Sequence, residues 1–133
     1  LIRTNLSHSD LRNTDLICAN LSSANLSSAD LSDAALGNTN LSSANLSFTC
    51  FIYVDIRNAD LRYTYLSKEL LFTIEDSFSP LLCNVALPSN LIEAGIDPNR
   101  DCDRLPQLLS DRYGYSLEEA QELVEEARQK TWD

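Results

Sequence analysis

Side chains able to do chemistry are few and scattered in this chain. His8 is the sole histidine among 133 residues, and there are four cysteines, Cys18, Cys50, Cys83 and Cys102. The densest run of oxygen ligands is Asp97-Pro98-Asn99-Arg100-Asp101-Cys102-Asp103, which matches the first, third, fifth and seventh places of a calcium-binding loop. The match stops there. The sixth place holds Cys102 where the sharp turn needs Gly, and the twelfth holds Leu108 where a bidentate Glu belongs. Aspartates that close turns and cap the following helix are the expected role, with a metal-responsive switch through residues 97–103 as the alternative. No Cys-x-x-Cys or Cys/His spacing suits zinc, so no metal site is expected.

Nucleophilic catalysis needs a base within reach of the nucleophile and a third group to orient that base. No such set can be assembled around His8, and the plentiful serines (Ser22, Ser23, Ser27, Ser28, Ser42, Ser43) recur at positions that suit a solvated wall. Gly37, Gly95 and Gly114 stand isolated, so no glycine-rich loop is available to cradle phosphate. The sequence therefore predicts a protein that is not an enzyme, with no catalytic residue and no cofactor. The formal charge of −10 disfavours direct contact with nucleic acid or an anionic membrane, because such contacts come from clustered Lys and Arg. No apolar run approaches the roughly 18 residues of a membrane-spanning helix.

These side chains are held by a repeat. Every fifth residue from Leu1 is apolar: Leu6, Leu11, Leu16, Leu21, Leu26, Leu31, Leu36, Leu41, Leu46, Phe51, Ile56, Leu61 and Leu66. Two places before each stands Thr, Ser, Ala or Val; one place before, ten of thirteen are Asp or Asn. On an α-helix a step of five would carry the leucines spirally around the axis and form no stripe. A continuous strand needs a period of two. Within each pentad the small residue and the Leu, two apart, share one face, and the next inward residue arrives three places later. The chain must turn a corner once per pentad in a constant sense, and repeated corners wind it into a solenoid with Leu on the axis.

The units Ala24-Asn25-Leu26-Ser27-Ser28, Ala29-Asp30-Leu31-Ser32-Asp33 and Thr14-Asp15-Leu16-Ile17-Cys18 resemble the pentapeptide-repeat family. The resemblance covers residues 1–68. It implies an all-β solenoid, a right-handed quadrilateral parallel β-helix of twenty residues per coil and a little over three coils, and a cyanobacterial source. It also implies a non-enzymatic protein serving as a structural or protein–protein interaction module. Some relatives mimic DNA and act on DNA gyrase, which makes a topoisomerase-directed mimic the alternative. The charge is placed badly for mimicry. Residues 1–68 hold five basic and six acidic side chains, whereas residues 69–133 hold five and fourteen. Duplex mimicry needs negative charge spread along the rod, and this rod is nearly neutral.

The repeat is expected to end where Glu69 occupies a corner position before Leu71, since an unpaired charge could not be buried there. Residues 69–133 then form an acidic α-helical C-terminal cap. Ser79-Pro80 has the form of a helix start. Ser89 opens a short helix that Gly95 closes, and Asp101 or Asp103 caps another running through Arg112 to Gly114. Ser116-Leu117-Glu118-Glu119 is a capping box for a helix to Lys130 with Leu117, Ala120, Val124 and Ala127 on one face. Cys83 and Cys102, both in this cap, are a candidate disulfide; Cys18 and Cys50 lie too far apart to bridge. Phe48, Tyr53, Tyr63 and Tyr65 occupy outward positions near the end of the repeat and are expected to form either the docking surface for the cap or a surface for a protein partner. The chain begins inside the repeat, so a monomer or end-to-end association through the Leu1 end is expected. The cytoplasm is the expected compartment, with the periplasm or a thylakoid lumen as alternatives.

Overall fold

The computed structural model describes residues 1–51, 54–64 and 81–132. Each pentad begins at its inward residue, whose carbonyl accepts the N–H three places on, as from Ala24 to Leu21 at 3.1 Å. The residue two places after the inward one is left-handed: from Arg3 to Tyr63 φ at this corner lies between 58° and 65°. Residues with a Cβ resist that region by about 1–2 kcal/mol each, so every corner is a local expense that the repeat must offset. Two side-chain devices help. The Asn or Asp before the inward residue accepts the backbone N–H two places on, for example from Ser27 to Asn25 Oδ1 at 3.0 Å, which ties down an otherwise free donor. Buried Thr hydroxyls donate to carbonyls: Thr39 to Leu16 at 2.8 Å and Thr49 to Leu26 at 2.9 Å.

Backbone pairing is parallel and joins residues twenty apart. Four columns result: Asn5–Asn25–Asn45, Asp10–Asp30–Cys50, Asp15–Ala35–Asp55 and Asn20–Asn40–Asp60. Each column is one bridging residue wide, because a corner follows at once. A chain that returns to the same column every fourth pentad is a β-helix. Its axis holds Leu21, Leu26, Leu31, Leu36, Leu41, Leu46, Phe51, Ile56 and Leu61, all buried, with Ala24, Ala29, Ala34, Ala44, Val54 and Ala59 at the small positions. Leu6, Leu11 and Leu16 pack on this core and are only half-buried, since no coil lies beneath them in the chain described.

Two columns continue beyond Thr64 in a shifted register. Asp55 pairs with Leu81 and Asp60 with Ala86, twenty-six residues on rather than twenty. Leu82 and Leu87 join the same core, and Asn84 repeats the left-handed corner with φ 52°. The stretch 81–87 therefore belongs to the β-helix and not to a helical cap. Six is not a multiple of five, so these rungs fall one residue out of phase with the Leu1 series, and a strict count of five passes over Val85-Ala86-Leu87. The expected repeat end at Glu69, the inward place of Leu66 and the helix start at Ser79-Pro80 lie outside the described residues.

Three helices follow. Helix α1 (Ser89–Glu93) places Leu91, with Ile96 just after it, against the last rungs of the core. Helix α2 (Leu105–Tyr113) ends at left-handed Gly114 and packs on α3 (Leu117–Gln129). Their cluster is separate from the axis: Leu81, Cys83, Cys102, Leu105, Leu109, Ala120 and Val124. Leu81 and Cys83 face outward from the wall, so the α2–α3 hairpin lies on the flank of the β-helix, while among the described helices α1 is the one whose segment packs on its axis. The Ser116 cap forms, its hydroxyl accepting the Glu119 N–H at 3.1 Å, and Ser116→Ala is expected to lower stability by about 1 kcal/mol in urea titration. Two local expectations fail. Leu117 is 45% exposed, because it is the first residue of α3 and lies off its packed face. Neither Asp101 nor Asp103 caps α2; Arg104 precedes it without a side-chain bond, and the Asp101 carboxylate is engaged elsewhere.

Candidate functional site

Outward positions on the third column and its corner carry the most unusual surface of the β-helix. Its outward stacks run Ile17, Gly37, Arg57, Cys83 and, at the corner, Cys18, Asn38, Asn58, Asn84. Arg57 and Asp55 form an ion pair there with their side chains 2% and 1% exposed, whereas the matching Arg12–Asp10 pair on the second flank stands largely in water. There the Arg12 guanidinium holds the Asp10 carboxyl at about 2. Burial instead raises the Asp55 carboxyl above its ordinary value, although Arg57 opposes the shift. Gly37 leaves room beside them: a Cβ built on it would meet the Arg57 guanidinium carbon at 3.0 Å, and the guanidinium would have to move by a few tenths of an ångström.

The hairpin is what covers this flank. Tyr113 donates to the Ala34 carbonyl at 3.3 Å, and its phenol is pushed well above the usual tyrosine range, mainly by burial and then by the Asp55 charge. At the corner an amide ladder runs from Asn58 Nδ2 to Asn38 Oδ1 (2.6 Å) and from Asn84 Nδ2 to Asn58 Oδ1 (2.9 Å). Asn84 Nδ2 also meets the Ala127 and Lys130 carbonyls at the end of α3, where freed acceptors await a donor. The sole Trp, Trp132, donates from Nε1 to the Asn84 carbonyl at 2.9 Å and lies under Arg62 and Lys130, 5.4 and 4.1 Å from its ring centre. An open cleft of about 290 Å³ remains between wall and hairpin, bordered by Asp15, Ile17, Asp33, Arg112, Tyr113 and Tyr115.

Cys83 and Cys102, the candidate pair, are disulfide-bonded, with Cα atoms 4.8 Å apart. Cys18 and Cys50 are free thiols, the first exposed, and Cys50 Sγ lies 3.2 Å from Ser32 Oγ. His8 is an exposed corner residue. The loop 97–103 folds for structure. Asp97 closes a turn on the Asn99 N–H. Buried Asp101 exchanges backbone bonds with Leu82, its N–H donating to Leu82 O and its Oδ2 accepting Leu82 N–H, both at 2.8 Å. It also pairs with Arg100 and Arg104, while Asp103 pairs with Arg128. These carboxylates do not converge on a point where a cation could sit.

Of the candidate aromatic surface, Phe48 is 92% and Tyr63 82% exposed. The described helices cover neither, because the hairpin settles on the third flank and not on the corners these two occupy. Tyr53 and Tyr65 lie outside the described residues. The buried Arg57–Asp55 pair is a feature the sequence reading missed; its signal is the spacing Asp55-x-Arg57 with Gly37 twenty residues earlier on the same stack.

The family model for pentapeptide repeats fits residues 1–33 and 24–62, in eight copies. No curated protein matches the chain. The period of five, the parallel bridges at twenty-residue spacing and this match agree: residues 1–62 are pentapeptide repeats.

Proposed function

We propose that this chain is a non-catalytic protein-interaction module, built on a right-handed, four-sided β-helix of a little over three coils. The observation that carries the reading is the exposure of Phe48 and Tyr63 at corners otherwise held mostly by polar side chains such as Ser23, Ser28, Asn38 and Ser43, since exposed aromatic side chains are the usual anchors of a protein interface. A rigid β-helix holds its corner side chains at fixed spacing without ordering cost on binding. The match to a family of generally non-enzymatic repeats supports the same class, and the specific partner is one with an apolar recess for aromatic side chains. The Cys83–Cys102 bond favours an oxidising compartment, periplasm or lumen, over the cytoplasm.

The test is affinity capture with the wild-type chain and with Phe48→Ser/Tyr63→Ser. A partner retained by the first and lost by the second, at an unchanged melting temperature, is the expected result. Equal capture by both would remove the aromatic surface from the account. The topoisomerase-directed DNA mimic is the second reading, resting on the overall charge of −10. A supercoiling assay decides it: inhibition or quinolone protection of gyrase at sub-micromolar protein would replace the first reading.

A further inference from the structure

We propose that the Cys83–Cys102 disulfide is a thiol-controlled clasp, whose reduction lets the α2–α3 hairpin lift from the flank of the β-helix while the leucine core stays folded. The inference stands apart from the interaction reading and survives its failure. It rests first on the separation of two cores. No residue of α2 or α3 belongs to the axial cluster, whose described members after Leu61 are Leu82, Val85, Leu87, Leu91 and Ile96. The hairpin can leave without exposing an axial leucine.

The second observation is how much of the hairpin's anchorage is the cystine itself. Among the described residues its cluster has seven buried members, and two are the half-cystines; Leu81 is the one other from the wall. Two thiols need more room than one disulfide, and a close-packed cluster of this size resists the added volume. Beyond the partly buried Leu108, Tyr113 and Tyr115 that pack on this cluster, the underside meets polar groups of the wall. It covers Asp55, Arg57 and Asn58, all buried, and burying an ion pair returns little or nothing against its hydration. Lifting the hairpin gives these charges back to water, which lowers the cost of opening. What stays after reduction is a pivot and a strap. The pivot is Asp101, bonded both ways to Leu82 and next to Cys102; the strap is Trp132 on the Asn84 carbonyl.

The chemistry is ordinary exchange with a dithiol reductant. One thiolate attacks a half-cystine sulfur, Cys102 being the less deeply buried residue, and the bond to Cys83 breaks. The reductant's second thiol resolves the mixed disulfide. The dithiol leaves oxidised, and its two electrons and two protons end on Cys83 and Cys102 as two thiols.

The test is hydrogen exchange on the whole chain with and without millimolar dithiothreitol, below the thermal transition. Alkylation is expected to count two thiols before reduction and four after. Amides of α2 and α3 should exchange at least about tenfold faster when reduced, those of the Leu21–Leu61 coils within about twofold of the oxidised protein, and reoxidation should restore both. Three results would each overturn the proposal: hairpin protection unchanged in the four-thiol protein, protection lost from hairpin and coils together, or a bond that resists reduction until the protein unfolds. Cys102→Ser should reproduce the reduced pattern without reductant; if that variant does not fold, reversible reduction of the wild type decides alone.

Discussion

Replacing Arg57 by Met is expected to cost about 3–5 kcal/mol, measured as the shift in urea midpoint at neutral pH, because it leaves Asp55 buried beneath the hairpin without a counter-charge. Arg57 and Asp55 are each almost wholly removed from water, so solvent cannot take over the missing partner's role. The double replacement Asp55→Asn/Arg57→Met should behave differently. Both charges are gone while an amide oxygen still accepts the backbone N–H of position 57, as the Asp55 carboxylate does at 3.1 Å, and stability should return to within about 1 kcal/mol of wild type. The single Arg57→Met protein should also show a sharper pH response. Burial raises the Asp55 carboxyl in the folded chain, so the native state holds that proton more tightly than the unfolded state does. Stability from this group therefore falls as pH rises from the ordinary carboxylate range through the raised value. Without the guanidinium the raise is larger, and acidifying from pH 7 towards 4 should recover part of the loss. A single variant as stable as wild type at pH 7 would show that the flank is open to water.

Leu36→Ala is the second large effect, about 2–5 kcal/mol. Leu36 is fully buried, and its stack continues below to Leu16 and above to Ile56, as the bonds from Leu16 to Ala35 and from Leu36 to Asp55 show. Parallel stacking on both sides leaves the cavity no free surface through which to collapse. Leu6→Ala removes the same atoms from the first, half-buried rung and should cost only about 1 kcal/mol, in proportion to the area already exposed. Equal losses at the two positions would contradict a ladder that runs along one axis.

The same molecule shows where reading residues in order succeeds. A period of five is a statement about the local chain. The inward Leu, the small residue two before it and the Asn or Asp between them act within a few residues, through a turn bond and a side chain capping a backbone N–H. Such forces leave their mark in every unit, so the β-helix, its core ladder from Leu21 to Leu61 and the outward place of Cys18, Cys50 and His8 were all legible. The N-cap at Ser116 was legible for the same reason, as was the pairing of Cys83 with Cys102 as a candidate.

What the residues in order could not supply was anything depending on which distant surfaces meet. The left-handed corner was hidden because no one residue type marks it: Asn13, Asp33, Asn38 and Asn58 favour that conformation, but Arg3, Cys18 and Phe48 share it and are held there by the pairing of the coils. The rungs at Leu82 and Leu87 were lost to a shift of one residue, which pairing across the coils absorbs and counting does not. The side of the β-helix taken by the hairpin was settled by a cystine, an amide ladder ending at Asn84 and a glycine that leaves room for Arg57. Each joins residues from about twenty to nearly fifty positions apart. The pentads alone determined that this protein coils. Only the tertiary fold decided which flank is covered and which aromatic residues remain in water, because those outcomes follow from packing between segments that no local pattern encodes.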